Sequence, residues 1–143
     1  MSEWLVLATV VAATGAFALW WRAHDGKVRA VDDRFTGEEL AAIGAPPERR
    51  LLVAFTAPSC APCTMARRVL EEVAGDRDDV AVRAADVGDH LDLARAHGVL
   101  RTPTTFALEV DGTVLGRVAG VPTAADVHAL LDAGAVPDSS RAA

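Results

Sequence analysis

Eighteen consecutive residues without a charge, Trp4 to Trp21 (WLVLATVVAATGAFALWW), leave this chain few ways to fold at its start. As an α-helix the run would be about 27 Å long, close to the thickness of a bilayer's hydrocarbon core. No polar face interrupts it, which argues against the half-buried helix of a globular domain. Trp4 at one end and Trp20 and Trp21 at the other stand where aromatic residues meet membrane interfaces. A cleavable signal peptide is the competing reading, since Ala16-Phe17-Ala18 offers a small-x-small site. Against it, the preceding Met-Ser-Glu carries no Lys or Arg and the apolar run exceeds a usual signal core. Residues 1–23 are therefore expected to form one transmembrane helix. Arg22, Lys27, Arg29 and Arg34 all follow the run and no basic residue precedes it. The positive-inside bias then puts the rest of the chain on the cytoplasmic face of a single-pass protein, with the extracytoplasmic face as the alternative.

Glu3 and Arg22 cancel, so the formal net charge of −6 belongs to the remainder. Such a surface does not suit nucleic acid, whose phosphates call for clustered Lys and Arg. Residues 24–34 are polar and mixed in charge, and read as a linker in which Val28 and Val31 could make a short strand. Eleven extended residues reach at most about 36 Å, so the domain that follows works near the bilayer surface.

Within residues 35–134 the pattern gives one α/β domain. Thr36 with Glu39 is a capping box opening a short helix that closes at Gly44. The apolar run at 49–57, bounded by Pro46, Pro47 and Pro58, has the length of a fully buried strand. Met65, Val69, Leu70 and Val73 then recur at helical spacing up to Gly75. A strand at 80–87 and a helix capped by Asp89 and stopped at Gly98 come next. Asp111-Gly112 between two apolar runs signals a hairpin, and Thr123 with Asp126 starts a last helix. The tail at 135–143 reads as disordered.

Both cysteines of the chain, Cys60 and Cys63, stand with two residues between them where the buried strand passes into a helix. A thiolate is the attacking species in disulfide exchange, and the first turn of a helix stabilises it with unpaired N–H groups and the positive end of the dipole. Cys60, at the turn itself, gains most. Cys63 lies one turn on, within reach of Cys60, so the spacing makes an exposed attacker and a sheltered resolver. Pro62 suits a first turn because its missing N–H loses no helical bond. An inert disulfide would close so short a loop that it would gain little stability. Zinc is not expected: His24, His90, His97 and His128 form no paired-histidine spacing and read as surface residues.

The order of elements, the strand–CAPC–helix junction and the later VLRTPTTF segment resemble the thioredoxin-like family. The resemblance spans about residues 34–133. It implies a three-layer α/β fold, a central mixed sheet flanked by helices, here preceded by one transmembrane helix. It further implies thiol:disulfide oxidoreductase activity with no bound cofactor or metal. Cys60 and Cys63 would be catalytic within the turn formed by Ser59, Ala61 and Pro62. Pro103 would be a cis-proline facing the sulfurs, and the Thr102 backbone would pair with an extended substrate segment. Partners would be protein thiols or disulfides near the membrane, with lipid contacting the N-terminal helix.

Departures from the family pattern are equally specific. Ser59 and Ala61 replace the tryptophan and glycine usual around the first cysteine. Ala54 stands where thioredoxins have a buried carboxylate, and Val82 near the lysine commonly paired with it. Proton transfer at Cys63 is thereby left to water, substrate or another group. Two further readings stay open: an extracytoplasmic reductase for maturation of exported or haem-binding proteins, and a non-catalytic thioredoxin-like module docking a membrane partner.

Overall fold

The computed structural model describes residues 2–24 and 33–133, so most of the 24–34 linker, with Val28 and Val31, and the 135–143 tail lie outside the described residues. The apolar run lies in helix α1 (Ser2–His24), and its span Glu3–Trp20 is exposed throughout. By length and composition it could cross a membrane, a test that signal sequences also pass. The hydroxyls of Thr9 and Thr14 donate to the carbonyls of Leu5 and Val10, both at 2.8 Å. Each is satisfied within the helix, which a hydrocarbon environment requires.

The domain runs α2 (Gly37–Ala42), β1 (Arg50–Thr56), α3 (Ala61–Gly75), β2 (Val80–Asp86), α4 (Leu91–Ala96), β3 (Thr104–Leu108), β4 (Val114–Ala119), α5 (Ala124–Ala133). The sheet order is β2-β1-β3-β4, with β1 parallel to β2 and antiparallel to β3. This is the mixed, helix-flanked sheet expected. Alternation along the central strands sorts the core into two faces. Leu51, Val53 and Phe55 of β1 join Phe106, Leu108, Phe35 and Ile43 on the side of α2 and α4. Leu52 and Ala54 join Leu70, Val73, Ala107, Val118, Val127 and Leu130 on the side of α3 and α5. Because β1 is buried on both faces, its sequence reads as a continuous apolar run.

Local signals set the ends of the elements. The Thr36–Glu39 box closes in both directions, and Thr123 with Asp126 does the same ahead of α5. The β3–β4 connection occupies residues 109–113, closed by Gly112 N to Glu109 O and Glu109 N to Thr113 O, both at 2.9 Å. Gly112 has φ +87° and accepts from Phe35 N at 2.8 Å; a Cβ there would lie 2.2 Å from Phe35 O. Both the turn and the close approach therefore require glycine.

Three expectations need correction. Asp89 does not cap α4: His90 holds the N-cap position without a side-chain bond. Asp86 holds the turn before the helix, its carbonyl accepting from Asp89 N and His90 N and its carboxylate from Gly88 N. Met65 is exposed and Val69 only half-buried, because α3 turns Cys63, Ala66, Leu70 and Val73 inward. His97 is no surface residue. Its ring stacks on Phe35 with centroids 3.7 Å apart, with Nδ1 2.5 Å from Asp33 Oδ2 and Nε2 3.4 Å from Glu39 Oε1. Asp33 and Arg34, at the end of the segment read as linker, are thus already held by the domain; Arg34 also bridges to Thr113 and pairs with Asp111.

Candidate active site

Strand β1 ends at Thr56 and the chain turns through Ala57-Pro58-Ser59 into α3. Ser59 takes the left-handed conformation, φ +59°, which for a residue with a Cβ is sparsely populated and is concentrated at functional turns. Cys60 is the N-cap of α3. Its Sγ accepts from Cys63 N at 3.2 Å, and its carbonyl accepts from the same N–H at 3.1 Å. A sulfur thus stands where helix capping normally places a side-chain oxygen, against the N–H groups that the first turn leaves unpaired. Pro62 falls within that first turn, as its lack of an N–H allows.

Cys60 and Cys63 are joined as a disulfide, S–S 2.08 Å and Cα–Cα 5.3 Å. Their environments differ: Cys60 is half-exposed, whereas Cys63 is 6% exposed beneath it. A concavity of about 480 Å³ opens onto the pair. Ser59, Cys60, Ala61 and Cys63 line it together with Thr56, Ala84 and Arg67. Arg67, also paired with Glu71 at 3.3 Å, was not anticipated. It stands four residues beyond Cys63, on the same helical side, and that spacing was the signal available in the sequence.

Thr102 and Pro103 do not line this concavity. The Thr102–Pro103 peptide is cis, and Pro103 is buried. Phe55 pairs with Thr104, and the register carried one step further sets Pro103 beside Thr56. The Pro103 carbonyl accepts from Gly120 N at 2.7 Å and the Thr104 hydroxyl donates to Arg101 O at 2.8 Å, fixing both flanks of the proline. Thr102, half-buried, precedes the first ladder pair of β3 with β4, Thr104 with Ala119.

Ala54, fully buried, pairs with Ala84 on one side and Thr105 on the other. This row of small residues contributes no charge, and its Ala84 lines the concavity with Cys63. Among the described residues, no group of three or more His, Cys, Asp or Glu side chains is arranged to hold a metal ion.

A thioredoxin family model matches residues 31–133. The thioredoxin of Bacillus subtilis is 32% identical over 94 residues, 65% of this chain and 83% of that protein. That of Staphylococcus epidermidis is 35% identical over 82 residues, 57% of this chain and 78% of that protein. Among solved structures, chloroplastic thioredoxin z superposes with a TM-score of 0.57 at 30% identity, over 77% of this chain and 99% of that one.

Proposed function

The chain belongs to the thioredoxin family and is a thiol–disulfide oxidoreductase, and from that premise we propose that it works as a membrane-tethered reductase of protein disulfides through Cys60 and Cys63. The observation that carries the reading is the asymmetry of the pair: one sulfur half-exposed at a helix N-terminus, the other buried behind it at bonding distance.

In the reduced chain the Cys60 thiolate attacks one sulfur of a substrate disulfide, forms a mixed disulfide and releases the other substrate sulfur as thiolate. Cys63 then gives up its proton and attacks Cys60 Sγ. The Cys60–Cys63 disulfide forms and the second substrate thiolate leaves. Two electrons pass from the dithiol to the substrate, and a dithiol donor restores the chain. The N–H groups of the first turn of α3 stabilise the attacking thiolate. The Thr102 backbone, beside the cis peptide and outside the ladder, offers an extended substrate strand its hydrogen bonds.

Helix α1, as an anchor over residues 1–23, would keep the domain near the bilayer, with 24–34 as linker and 35–134 as the working domain. The basic residues after the apolar run favour the cytoplasmic face. Substrates are then protein disulfides at or near that surface.

Cys63→Ser should trap mixed disulfides with partners, because no second thiolate releases them, while Cys60→Ser traps almost none. If both single variants trap nothing and partner binding survives loss of both sulfurs, the chain is a docking module instead. Trypsin added to intact cells should spare the domain and added to inverted vesicles should cleave it; the reverse pattern puts the domain outside.

A further inference from the structure

Thr105 sits in the middle of β3 with no solvent exposure, and its hydroxyl makes no hydrogen bond to any described protein group. Its neighbour Thr104 shows the ordinary solution, a 2.8 Å bond to Arg101 O. A buried hydroxyl without a partner destabilises the state in which it is stranded, whereas valine would fill the same shape without that penalty. Thr105 therefore asks for a state in which it is satisfied.

Its position indicates which. Thr105 pairs with Ala54, so its side chain shares the α3/α5 face with Ala54 and Ala107, two residues beyond Pro103 on the same side of β3. Ala54 in turn pairs with Ala84, which lines the concavity with Cys63 and Thr56. The stranded hydroxyl thus lies on the same face of the sheet, one strand from Ala54 and two from Ala84. In the disulfide, Cys63 Sγ is neutral and bonded to Cys60. Once the bond opens, a buried sulfur that must carry charge is left on the inward side of α3, the side that also buries Ala66, Leu70 and Val73.

We propose that Thr105 is a positioning residue whose hydroxyl, directly or through one water, donates a hydrogen bond to Cys63 in the dithiol state. It thereby stabilises the resolving thiolate. This deepens the role given to Cys63 above and rests on that reading.

Among the described residues, Thr56, Ser59 and Thr64 bring hydroxyls to the concavity, and the charged groups nearby are engaged elsewhere. Arg67 of α3 is at the rim of the concavity, engaged with Glu71, and Asp86 at the end of β2 accepts from Gly88 N. Arg50, Arg77, Asp79 and Asp132 pair with one another around the start of β1 and the end of α5, away from the sulfurs. The buried residues of α5 and β4 on this face are Val127, Leu130, Leu131 and Val118.

The test uses the full chain in detergent, as Thr105→Val and Thr105→Ser. At equilibrium with glutathione, two glutathione thiols reduce Cys60–Cys63 to two thiols and become one glutathione disulfide. Thr105→Val removes the stranded hydroxyl from the disulfide state and the hydrogen bond from the dithiol state, so both effects favour the disulfide. The equilibrium should move about tenfold toward it, about 30 mV. The pH midpoint for release of a mixed disulfide by Cys63 should also rise. Thr105→Ser, which keeps the hydroxyl and loses only a methyl, should stay within about twofold of the parent, a recovery that a packing defect would not show. An unchanged equilibrium and midpoint in Thr105→Val, or an equal shift in both variants, overturns the proposal. The glutathione equilibrium needs no protein substrate, so it reads Thr105 even if the trapping experiments show that the chain is not a catalyst.

Discussion

On the α2/α4 side of the sheet the buried ring of His97 lies between two carboxylates, Asp33 Oδ2 at 2.5 Å and Glu39 Oε1 at 3.4 Å, and flat against Phe35. On the α3/α5 side, the row Ala84–Ala54–Thr105, whose Ala84 lines the concavity with the cysteines, carries no charge and one stranded hydroxyl. The first arrangement fastens the chain: Asp33 enters from the segment after α1, Glu39 from α2 and His97 from the end of α4. The second leaves the sulfurs to a helix N-terminus and a polar group that only the dithiol would engage. Architecture and reactivity are thus assigned to opposite faces of one sheet, and substitutions on either face should affect one and spare the other.

The most severe separation comes from Cys60→Ala. Reduction of a model disulfide by added dithiol should fall to the uncatalysed background, while the circular dichroism of the domain stays native. Phe106→Ala should do the reverse. Phe106 is fully buried and meets Phe35 and Phe55 edge-on at 5.6 and 5.7 Å, so truncation should cost about 3–5 kcal/mol in urea unfolding. The alkylation rate of Cys60 in the still-folded fraction should not change. A large change in that rate would mean that the two faces are coupled.

His97→Leu keeps the volume and leaves Asp33 and Glu39 without their partner. The expected loss is about 1–3 kcal/mol, toward the low end because the two carboxylates are 30% and 26% exposed. Should the variant prove as stable as the parent, the cluster is a consequence of the fold and does not fasten it.

The smallest effect concerns acid. Burial alone would raise the Glu39 carboxyl, but the hydrogen bonds from Thr36 and the charge and hydrogen bond of His97 outweigh it and hold it below its ordinary 4.5. A carboxyl lowered by folding contributes stability that is complete above its unfolded value and is lost as pH falls through the folded one. Melting temperature should therefore drop on the acid side of pH 4.5, and Glu39→Gln should flatten part of that limb by losing Glu39's share of the stability near pH 7. Asp79 and Asp111 are also lowered and add to the limb. At Asp79 the Arg50 guanidinium overcomes burial; at Asp111 the bonds to Thr113 lead and Arg34 adds its charge. Full persistence of the limb in Glu39→Gln would move its origin to those two.

Much of this molecule is written in short stretches. The apolar helix, both capping boxes, the continuous run of β1 and the strand-to-helix junction that puts Cys60 at an N-cap depend on neighbours within about one turn. So does the reach between Cys60 and Cys63, since a spacing of three on a helix start fixes it. The site was legible in the sequence for that reason. What pattern could not supply was anything joined across the fold. Asp33 and His97 are 64 residues apart, and a histidine in a polar helix looks like surface until the packing of α4 turns its ring onto Phe35. Met65 fits the helical spacing as well as Leu70 does, and only contact with the sheet decides which one faces inward. The pairing of Thr105 with Ala54 likewise depends on the register of β3 against β1, and so does the stranding of its hydroxyl. Local periodicity determined which elements form and where the sulfurs sit; long-range pairing, which a linear pattern does not encode, decided what surrounds them.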